Sequence, residues 1–273
     1  MLPRCDFKRL QHMPAFTIAS RLRHALVMFK RSNADMLSPA RTQPAPFSLD
    51  APLLSDILRH ARPLGHNEDA STLNLGFGFL YYGLVRMLRP NHIVVIGSGY
   101  GFSVVCLALG LKDNGKGRLS FVDPSYSALR DGLLHTVGGT AQWDEPTRVQ
   151  AHFARFGVED IVEHFKMTSA EFFARYEGNW LPTVDLAFID GNHSYEDVRH
   201  DFLAVLKRSR RNSYLLLHDT NIYVREMFRH AGVKRWLRRL ARERDAFEIV
   251  DFPFSSGVAM VRVLCDADWQ PTT

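Results

Sequence analysis

Cysteine is scarce in this chain, which has only Cys5, Cys106 and Cys265 among its 273 residues. The three lie far apart, and none belongs to a Cys-x-x-Cys pair or to a Cys/His spacing typical of zinc ligands. The sequence therefore offers no disulfide framework and no structural zinc site. It favours a reducing, cytoplasmic location. Cys106 lies in an apolar stretch and is predicted to be a core residue.

Long hydrophobic runs are also absent, since no stretch of about 18 apolar residues occurs that could cross a membrane. No secretory leader is predicted, because the first forty residues mix Arg and Lys with scattered apolar residues. The composition is 46% hydrophobic and 23% charged. This is an ordinary globular balance, which can build one sizeable core.

Acidic residues are outnumbered by basic ones, and the formal net charge is +5. The excess is concentrated in two clusters. The first comprises Lys207, Arg208, Arg210 and Arg211. The second, on a predicted helix, comprises Arg225, Arg229, Lys234, Arg235, Arg238, Arg239, Arg242 and Arg244. A solvated helix face is the simpler interpretation. A surface for an anionic substrate, nucleic acid or membrane headgroups is the alternative.

Residues 1–48 are predicted to be a basic N-terminal extension, with eight Lys/Arg against two Asp. The pattern over residues 16–30 is typical of a short basic amphipathic helix. Packing on a partner subunit, contact with a membrane surface, a poorly ordered tail and an organelle transit peptide all remain open. Residues 49–273 are predicted to form the main domain.

Apolar strands alternate with helices from residue 49 onward. Helices are predicted at 53–60, 73–88, 102–111 and 194–208, and strands at 92–96, 118–122, 161–167, 184–189 and 213–217. This alternation predicts an α/β fold with a mostly parallel, Rossmann-like sheet that carries helices on both faces. Two final strands, 247–252 and 257–264, are joined by only four residues and must be antiparallel. The sheet therefore has seven predicted strands and ends in an antiparallel hairpin.

A glycine-rich segment, Gly97-Ser98-Gly99-Tyr100-Gly101, lies between a predicted strand and a predicted helix. Glycines allow a sharp turn and the close approach of a ligand, and the start of the helix presents free N–H groups. Asp123 ends the next strand, where a carboxylate can accept hydrogen bonds from both ribose hydroxyls of a nucleoside. Alternatively, Asp123 only caps the turn at Pro124. Together, the loop and the carboxylate predict a nucleotide-type ligand.

Two motifs resemble a known family. Val-Val-Ile-Gly-Ser-Gly-Tyr-Gly-Phe-Ser, at 94–103, is similar to the first motif of class I S-adenosylmethionine-dependent methyltransferases. Phe-Ile-Asp-Gly-Asn-His-Ser-Tyr-Glu-Asp-Val, at 188–198, and Leu-Leu-Leu-His-Asp-Thr, at 215–220, resemble a subgroup with macrocin-type sugar O-methyltransferases and cephalosporin-hydroxylase-like proteins. The resemblance covers about residues 72–264 and implies O-methylation of a small-molecule, sugar-like hydroxyl.

The resemblance implies where S-adenosylmethionine binds. It assigns the methionine part to Gly97, Ser98, Gly99 and Gly101, the ribose to Asp123, and the adenine to Thr168, Ser169 and Ala170. In many relatives an acidic residue two positions before the first glycine helps to hold the amino group of the cofactor. Val95 stands there in this chain, so cofactor binding departs from the family pattern at this point.

The resemblance further implies that Asp190 helps to bind a divalent metal and that His193 is the general base. The residues support this independently. Asp190 and Asp219 end successive predicted strands, so two carboxylates face one crevice and repel each other unless a cation, a proton or a partner intervenes. Magnesium suits oxygen ligands, whereas His218 beside Asp219 favours manganese, iron or zinc. The predicted metal ligands are Asp190, His218 and Asp219, and whether a metal binds is left open.

Simpler roles exist for the two histidines: His193 would order the turn before a helix capped by Ser194, and His218 would bond a neighbouring loop. Three other functions also remain. A nicotinamide-dependent oxidoreductase lacks support because no Tyr-x-x-x-Lys pair is found. A methyltransferase acting on the exocyclic amines of nucleic acid lacks its Asp/Asn-Pro-Pro-aromatic motif. The third is a non-catalytic, cofactor-binding relative. We expect a small-molecule substrate, with a homo-oligomer possible and the acceptor unspecified.

Overall fold

The structure, a computed structural model, describes residues 47–126, 129–131, 134–136, 141–176, 181–221, 232–267 and 269. Of the predicted N-terminal extension, 1–48, only the last two residues belong to this set. The helix predicted at 16–30 lies outside it, and so do Arg225 and Arg229 of the second basic cluster. The predictions for these parts stay predictions.

Helices and strands alternate along the described residues as predicted. Helices α1 to α7 span Ala51–Asp56, Phe77–Leu88, Phe102–Asn114, Pro146–Ala154, Ser169–Arg175, Tyr195–Leu206 and Gly232–Leu240. Strands β1 to β9 span His92–Ile96, Arg118–Val122, Leu129–Asp131, Leu134–Thr136, Val162–Phe165, Leu186–Ile189, Tyr214–His218, Phe247–Phe252 and Val258–Val263. A π-helical turn, Ile57–Ala61, continues α1, and Ala70–Thr72 forms a 3₁₀ turn.

Seven strands form one sheet in the order β5-β2-β1-β6-β7-β9-β8. Strand β9 is antiparallel to both of its neighbours, and the other pairs are parallel. The predicted sheet with its terminal hairpin is thus confirmed. Strands β3 and β4 form a separate antiparallel pair that was not predicted. Three residues each are too few to show a strand periodicity in the sequence.

Both faces of the sheet are covered, so β1 is buried along its whole length. Its alternate side chains enter two cores. Ile93 and Val95 pack with α2 and α3, whereas Val94 and Ile96 pack with α6 and α7. Val95 is fully buried, so the position at which relatives carry an acid is here part of an apolar core.

Helix α3 extends three residues beyond its predicted end because buried polar groups hold its last turn. The Asp113 carboxylate accepts hydrogen bonds from the Tyr82 hydroxyl at 2.5 Å and from the Ser48 N–H at 2.8 Å, and Arg86 lies 3.2 Å away. These contacts join α2, α3 and the start of the described chain. Nothing in the apolar pattern of the sequence indicates them.

The carboxyl ends of the parallel strands β2, β1, β6 and β7 lie side by side at one edge of the sheet. The loops that follow them carry the chemistry predicted from the sequence, and this edge is where ligands bind in open α/β sheets. Within the described ranges, no helix combines the length and apolar character needed to cross a bilayer.

Candidate functional site

The glycine loop, residues 97–101, follows β1 and runs against the loop after β6. Gly97, Gly99 and Gly101 have φ angles of +70°, +38° and +89°, a region that L-residues with side chains rarely adopt. A Cβ on Gly97 would lie 2.3 Å from the carbonyl oxygen of Asp190, whereas one on Gly99 meets no described atom within 4 Å. Gly97 therefore permits close contact between the loops, and the surface at Gly99 has room for a ligand.

Trp143 holds the glycine loop from the other side. Its indole N–H donates to the Gly99 carbonyl at 3.1 Å, and its backbone N–H donates to Ser125 Oγ at 3.0 Å. The ring is almost completely buried and stacks on Phe153, with centroids 5.5 Å apart. The sequence carries no signal for this role, because a single tryptophan outside a periodic element does not reveal its partner.

Asp123 lies beside the glycine loop, immediately after β2, and is buried. Its carboxylate accepts the Ser125 N–H at 2.7 Å. Burial raises the pKa of Asp123, and hydrogen bonds from the N–H groups of Ser125 and Ser98 partly oppose this rise. The structure therefore brings Asp123 and the glycine loop together at one edge. Its contact with a ribose remains a prediction.

Thr168, Ser169 and Ala170, the residues predicted to lie near the adenine, start α5. The Thr168 side chain caps the helix in a reciprocal capping box with Glu171. The Ser169 hydroxyl donates to Asp201 Oδ1 at 2.5 Å, and Ala170 is exposed. Both hydroxyls are thus engaged within the protein, and the predicted adenine contact stays a prediction.

Asp190, His193, His218 and Asp219 form one cluster at the ends of β6 and β7. His193 Nδ1 lies 3.0 Å from Asp219 Oδ2, and His193 Nε2 lies 3.4 Å from Asp190 Oδ1. His218 Nδ1 lies 3.0 Å from Asp190 Oδ1 and 3.2 Å from Asp219 Oδ1. The two carboxylates therefore face the same two imidazoles, and the convergence expected from the strand ends is present.

The loop that carries His193 is fixed at both sides. Ser194 caps α6 by accepting the Asp197 N–H at 3.1 Å, and Gly232, the first residue of α7, donates its N–H to the His193 carbonyl at 3.1 Å. A Cβ on Gly232 would lie 2.2 Å from the Tyr195 nitrogen, so α7 approaches this loop as closely as backbone allows. These contacts fix the backbone at His193, and its predicted role in ordering the turn stays a prediction.

Electrostatics in the cluster depend on His218. Burial alone would lower the pKa of His218, but the charges of Asp190 and Asp219, with the Gly65 carbonyl, raise it to about 9. Burial raises the pKa of Asp219 to about 6, although the positive charge of His218 opposes the rise. A buried imidazolium thus balances part of the negative charge of the two carboxylates.

A second layer behind His218 was missed by the sequence analysis. The His66 ring stacks on the His218 ring, with centroids 4.3 Å apart, and His66 Nδ1 lies 3.0 Å from the Tyr81 hydroxyl. Burial and the charge of His218 keep the pKa of His66 well below its usual range, so a neutral ring faces a charged one. His66 belongs to no motif, which is why sequence reasoning overlooked it.

The donor atoms of Asp190, His193 and Asp219 lie within 4.8 Å of one another, a spacing that could hold a metal ion. His193 occupies the place in this group that the sequence analysis assigned to His218. The role of His218 as a ligand remains a prediction. Two carboxylates with one imidazole fit Mn²⁺ or Mg²⁺, the imidazole favouring manganese.

The basic clusters are partly engaged in the fold. Arg208 donates to the Tyr176 carbonyl, Arg211 donates to the Leu264 carbonyl, and Arg210 pairs with Asp185. On α7 the apolar side chains are buried and Arg235 and Arg238 are exposed. These contacts agree with the simpler interpretation of a solvated surface, and binding of an anionic partner remains untested.

Residues 94–220 match the sequence model of a family described as a methyltransferase domain. The match begins in β1, ends two residues after β7, and includes the glycine loop, Asp123 and the Asp190/His193/Asp219 group. The chain is also 29% identical over 179 residues to the uncharacterized protein y4gI of Sinorhizobium fredii. That alignment covers 65% of this chain and 18% of y4gI, so the chain spans less than a fifth of this curated relative.

Solved methyltransferase structures share the fold. An O-methyltransferase from Bacillus cereus in complex with SAH has a TM-score of 0.56 and 17% identity, covering 79% of this chain and 92% of that chain. The O-methyltransferase TomG from Streptomyces achromogenes, involved in tomaymycin synthesis and bound to SAM, has a TM-score of 0.56 and 18% identity. It covers 79% of this chain and 90% of that chain. At these identities the likeness concerns the fold.

Asp201 yields a prediction about stability and pH. It lies on α6, buried against Ser169, and burial raises its pKa from 3.8 to about 6. Because the folded pKa exceeds the unfolded one, its ionisation costs stability as pH rises through this interval. We expect Asp201→Asn to gain on the order of 3 kcal/mol in unfolding free energy relative to the parent between pH 4 and pH 7. Urea denaturation at several pH values measures this.

The matched control for Asp201 is Asp160→Asn, since Asp160 is exposed. We expect this control to change the unfolding free energy by no more than about 0.5 kcal/mol, as is usual for a substitution at an exposed position. A constant offset between Asp201→Asn and the parent across the whole range would show that Asp201 does not titrate in this interval.

Proposed function

We propose that this chain transfers a methyl group from S-adenosylmethionine to a small-molecule, sugar-like hydroxyl, because residues 94–220 match the model of a methyltransferase domain and solved O-methyltransferase structures share the fold. One observation carries the proposal: Gly97 of the glycine loop touches the backbone of Asp190. The predicted cofactor loop and the acid/histidine cluster are therefore adjacent. The methyl donor and the acceptor hydroxyl can meet between them, and positioning of this kind supplies much of the rate in such reactions.

The residues of the glycine loop and Asp123 fit this cofactor. The positive φ angles bring the loop backbone close to a ligand, and the side of Gly99 is open to the described surroundings. Asp123 presents a buried carboxylate at the end of the neighbouring strand, where a ribose diol would be held. When bound, S-adenosylmethionine supplies an electrophilic methyl group on a sulfonium.

His193 takes the proton of the acceptor hydroxyl in this proposal. Asp219 Oδ2 lies 3.0 Å from His193 Nδ1, so it holds the proton on Nδ1 and leaves the accepting lone pair on Nε2. Nε2 lies 3.4 Å from Asp190 Oδ1, and because both atoms then are acceptors, the proton of an acceptor hydroxyl or a cation would be favoured beside them. As the hydroxyl oxygen forms its bond to the methyl carbon, its proton passes to Nε2 and the sulfur keeps the electrons of the broken C–S bond.

Asp190 and Asp219 would hold a divalent cation, with His218 donating its Nδ1–H from behind them. Such a cation would lower the pKa of a hydroxyl placed beside it. This part of the proposal uses both carboxylates as ligands and keeps His193 as the base. A second version, with His193 as a ligand, is distinguished by the metal experiment below.

Cofactor binding is the first test. We expect SAH to bind the full chain in calorimetry and to raise its melting temperature, since a ligand at 100 times its Kd stabilises a protein by about 2.7 kcal/mol. Asp123→Ala should weaken binding at least tenfold, whereas Asp160→Ala, at an exposed carboxylate, should bind as the parent does. The absence of both binding heat and thermal stabilisation at millimolar SAH would contradict the proposed methyltransferase function. Binding of NADH but not SAH would support the alternative function of a nicotinamide-dependent oxidoreductase.

The base is tested with His193→Gln, which keeps a polar side chain and removes the proton acceptor. SAH affinity should stay within about twofold, while methyl transfer, followed as SAH formed with a panel of sugar hydroxyl compounds, should fall by about 10²–10⁴-fold. His200→Gln, on the exposed face of α6, serves as the control. Unchanged turnover in His193→Gln would rule out His193 as the general base.

The metal is tested by titrating Mn²⁺ and Mg²⁺ into chain treated with EDTA. We expect Mn²⁺ binding that Asp219→Asn abolishes and His193→Gln retains, together with loss of transfer in EDTA. Loss of Mn²⁺ binding in His193→Gln would show that His193 is a metal ligand and not the base. An equal loss in His218→Gln would show that His218 is a metal ligand. Full activity in EDTA without any Mn²⁺ binding would exclude metal assistance.

A further inference from the structure

Arg62 places a guanidinium group over the glycine loop. Its Cζ lies 5.2 Å from the centroid of the Tyr100 ring, and Tyr100 stands between Gly99 and Gly101. Arg62 follows the π-helical turn Ile57–Ala61 and has a φ of +41°. Departures of both kinds, a π-turn and a left-handed residue other than glycine, are concentrated at functional sites.

This guanidinium lacks a compensating charge in the described part of the chain. The ion pairs found among those residues do not include Arg62, and its side chain is exposed. β1 brings no acid to the loop either, because Val95 stands in the core. The cation over the loop is therefore available to an anionic group of a ligand.

The contact with Tyr100 leaves the Arg62 guanidinium exposed. The N–H groups along its edge remain suited to a carboxylate, which arginine binds through two parallel hydrogen bonds. Helix α3 begins at Phe102, directly after the loop, so its N-terminal N–H groups favour negative charge at the same place. Two independent features thus prefer an anion beside Tyr100.

We propose that Arg62 binds the carboxylate of the methionine part of S-adenosylmethionine. This inference rests on the proposed function, in which the glycine loop carries that part of the cofactor. The Tyr100 ring lies against the Arg62 guanidinium, and β1 brings no acidic residue to the loop that would compete with the carboxylate for this cation. The methionine carboxylate is then held from outside the residues that match the methyltransferase family, 94–220.

The test compares S-adenosylmethionine with decarboxylated S-adenosylmethionine, which keeps the sulfonium and the amine and lacks only the carboxylate. In the parent chain we expect calorimetry to show at least tenfold tighter binding of the carboxylated form. In Arg62→Gln this preference should fall to about twofold or less, with the affinity for the decarboxylated form unchanged. In Arg62→Lys the preference for the carboxylated form should lie between these two values, because lysine keeps the positive charge but cannot form two parallel hydrogen bonds to a carboxylate.

Arg59→Gln is the matched control, because Arg59 is an exposed arginine on the same π-helical turn. It should retain the full preference of the parent. An unchanged preference in Arg62→Gln, or an equal loss for both compounds, would overturn the role of Arg62 while leaving the methyltransferase proposal intact. If the parent chain binds neither compound nor SAH, the proposed function fails, and this inference fails with it.

Discussion

The site depends on the contact between the loops that follow β1 and β6. Gly97 lies so close to the Asp190 carbonyl that no side chain fits between them. Two parallel strands that are neighbours in the sheet bring these loops together, but only glycine lets them touch. This contact sets the separation between the predicted cofactor loop and the first residue of the acid/histidine cluster. In the proposed reaction, the approach of a methyl donor to an acceptor hydroxyl depends on that separation.

Charge balance is the second constraint. Asp190 and Asp219 are brought together at a largely buried edge, where two bare carboxylates would repel each other. The His218 Nδ1 lies between them, and the His66 ring stacks on the His218 ring. A positive charge on His218 offsets part of their repulsion, and the carboxylate oxygens remain suited to a cation.

Much of the fold could be read from the sequence because buried parallel strands are short apolar runs. The parallel strands β1 and β2 have the predicted bounds, as does the antiparallel edge strand β8, and the convergence of Asp190 with Asp219 followed from strand ends alone. The hairpin β3-β4 was missed because it is too short to show a pattern. Trp143 and His66 were missed because their roles arise from contacts between residues distant in sequence, and no local pattern reports such contacts.

The stacking of His66 on His218 also bears on how the protein reaches its native state. His66 precedes the first strand, Asp190 follows β6, and His218 ends β7, so segments far apart in the sequence must come together before the three meet. Contacts between such distant residues carry a large loop-closure entropy and are expected to form after local structure. The cluster is thus assembled only where these distant segments have met, and no local structure can form it alone.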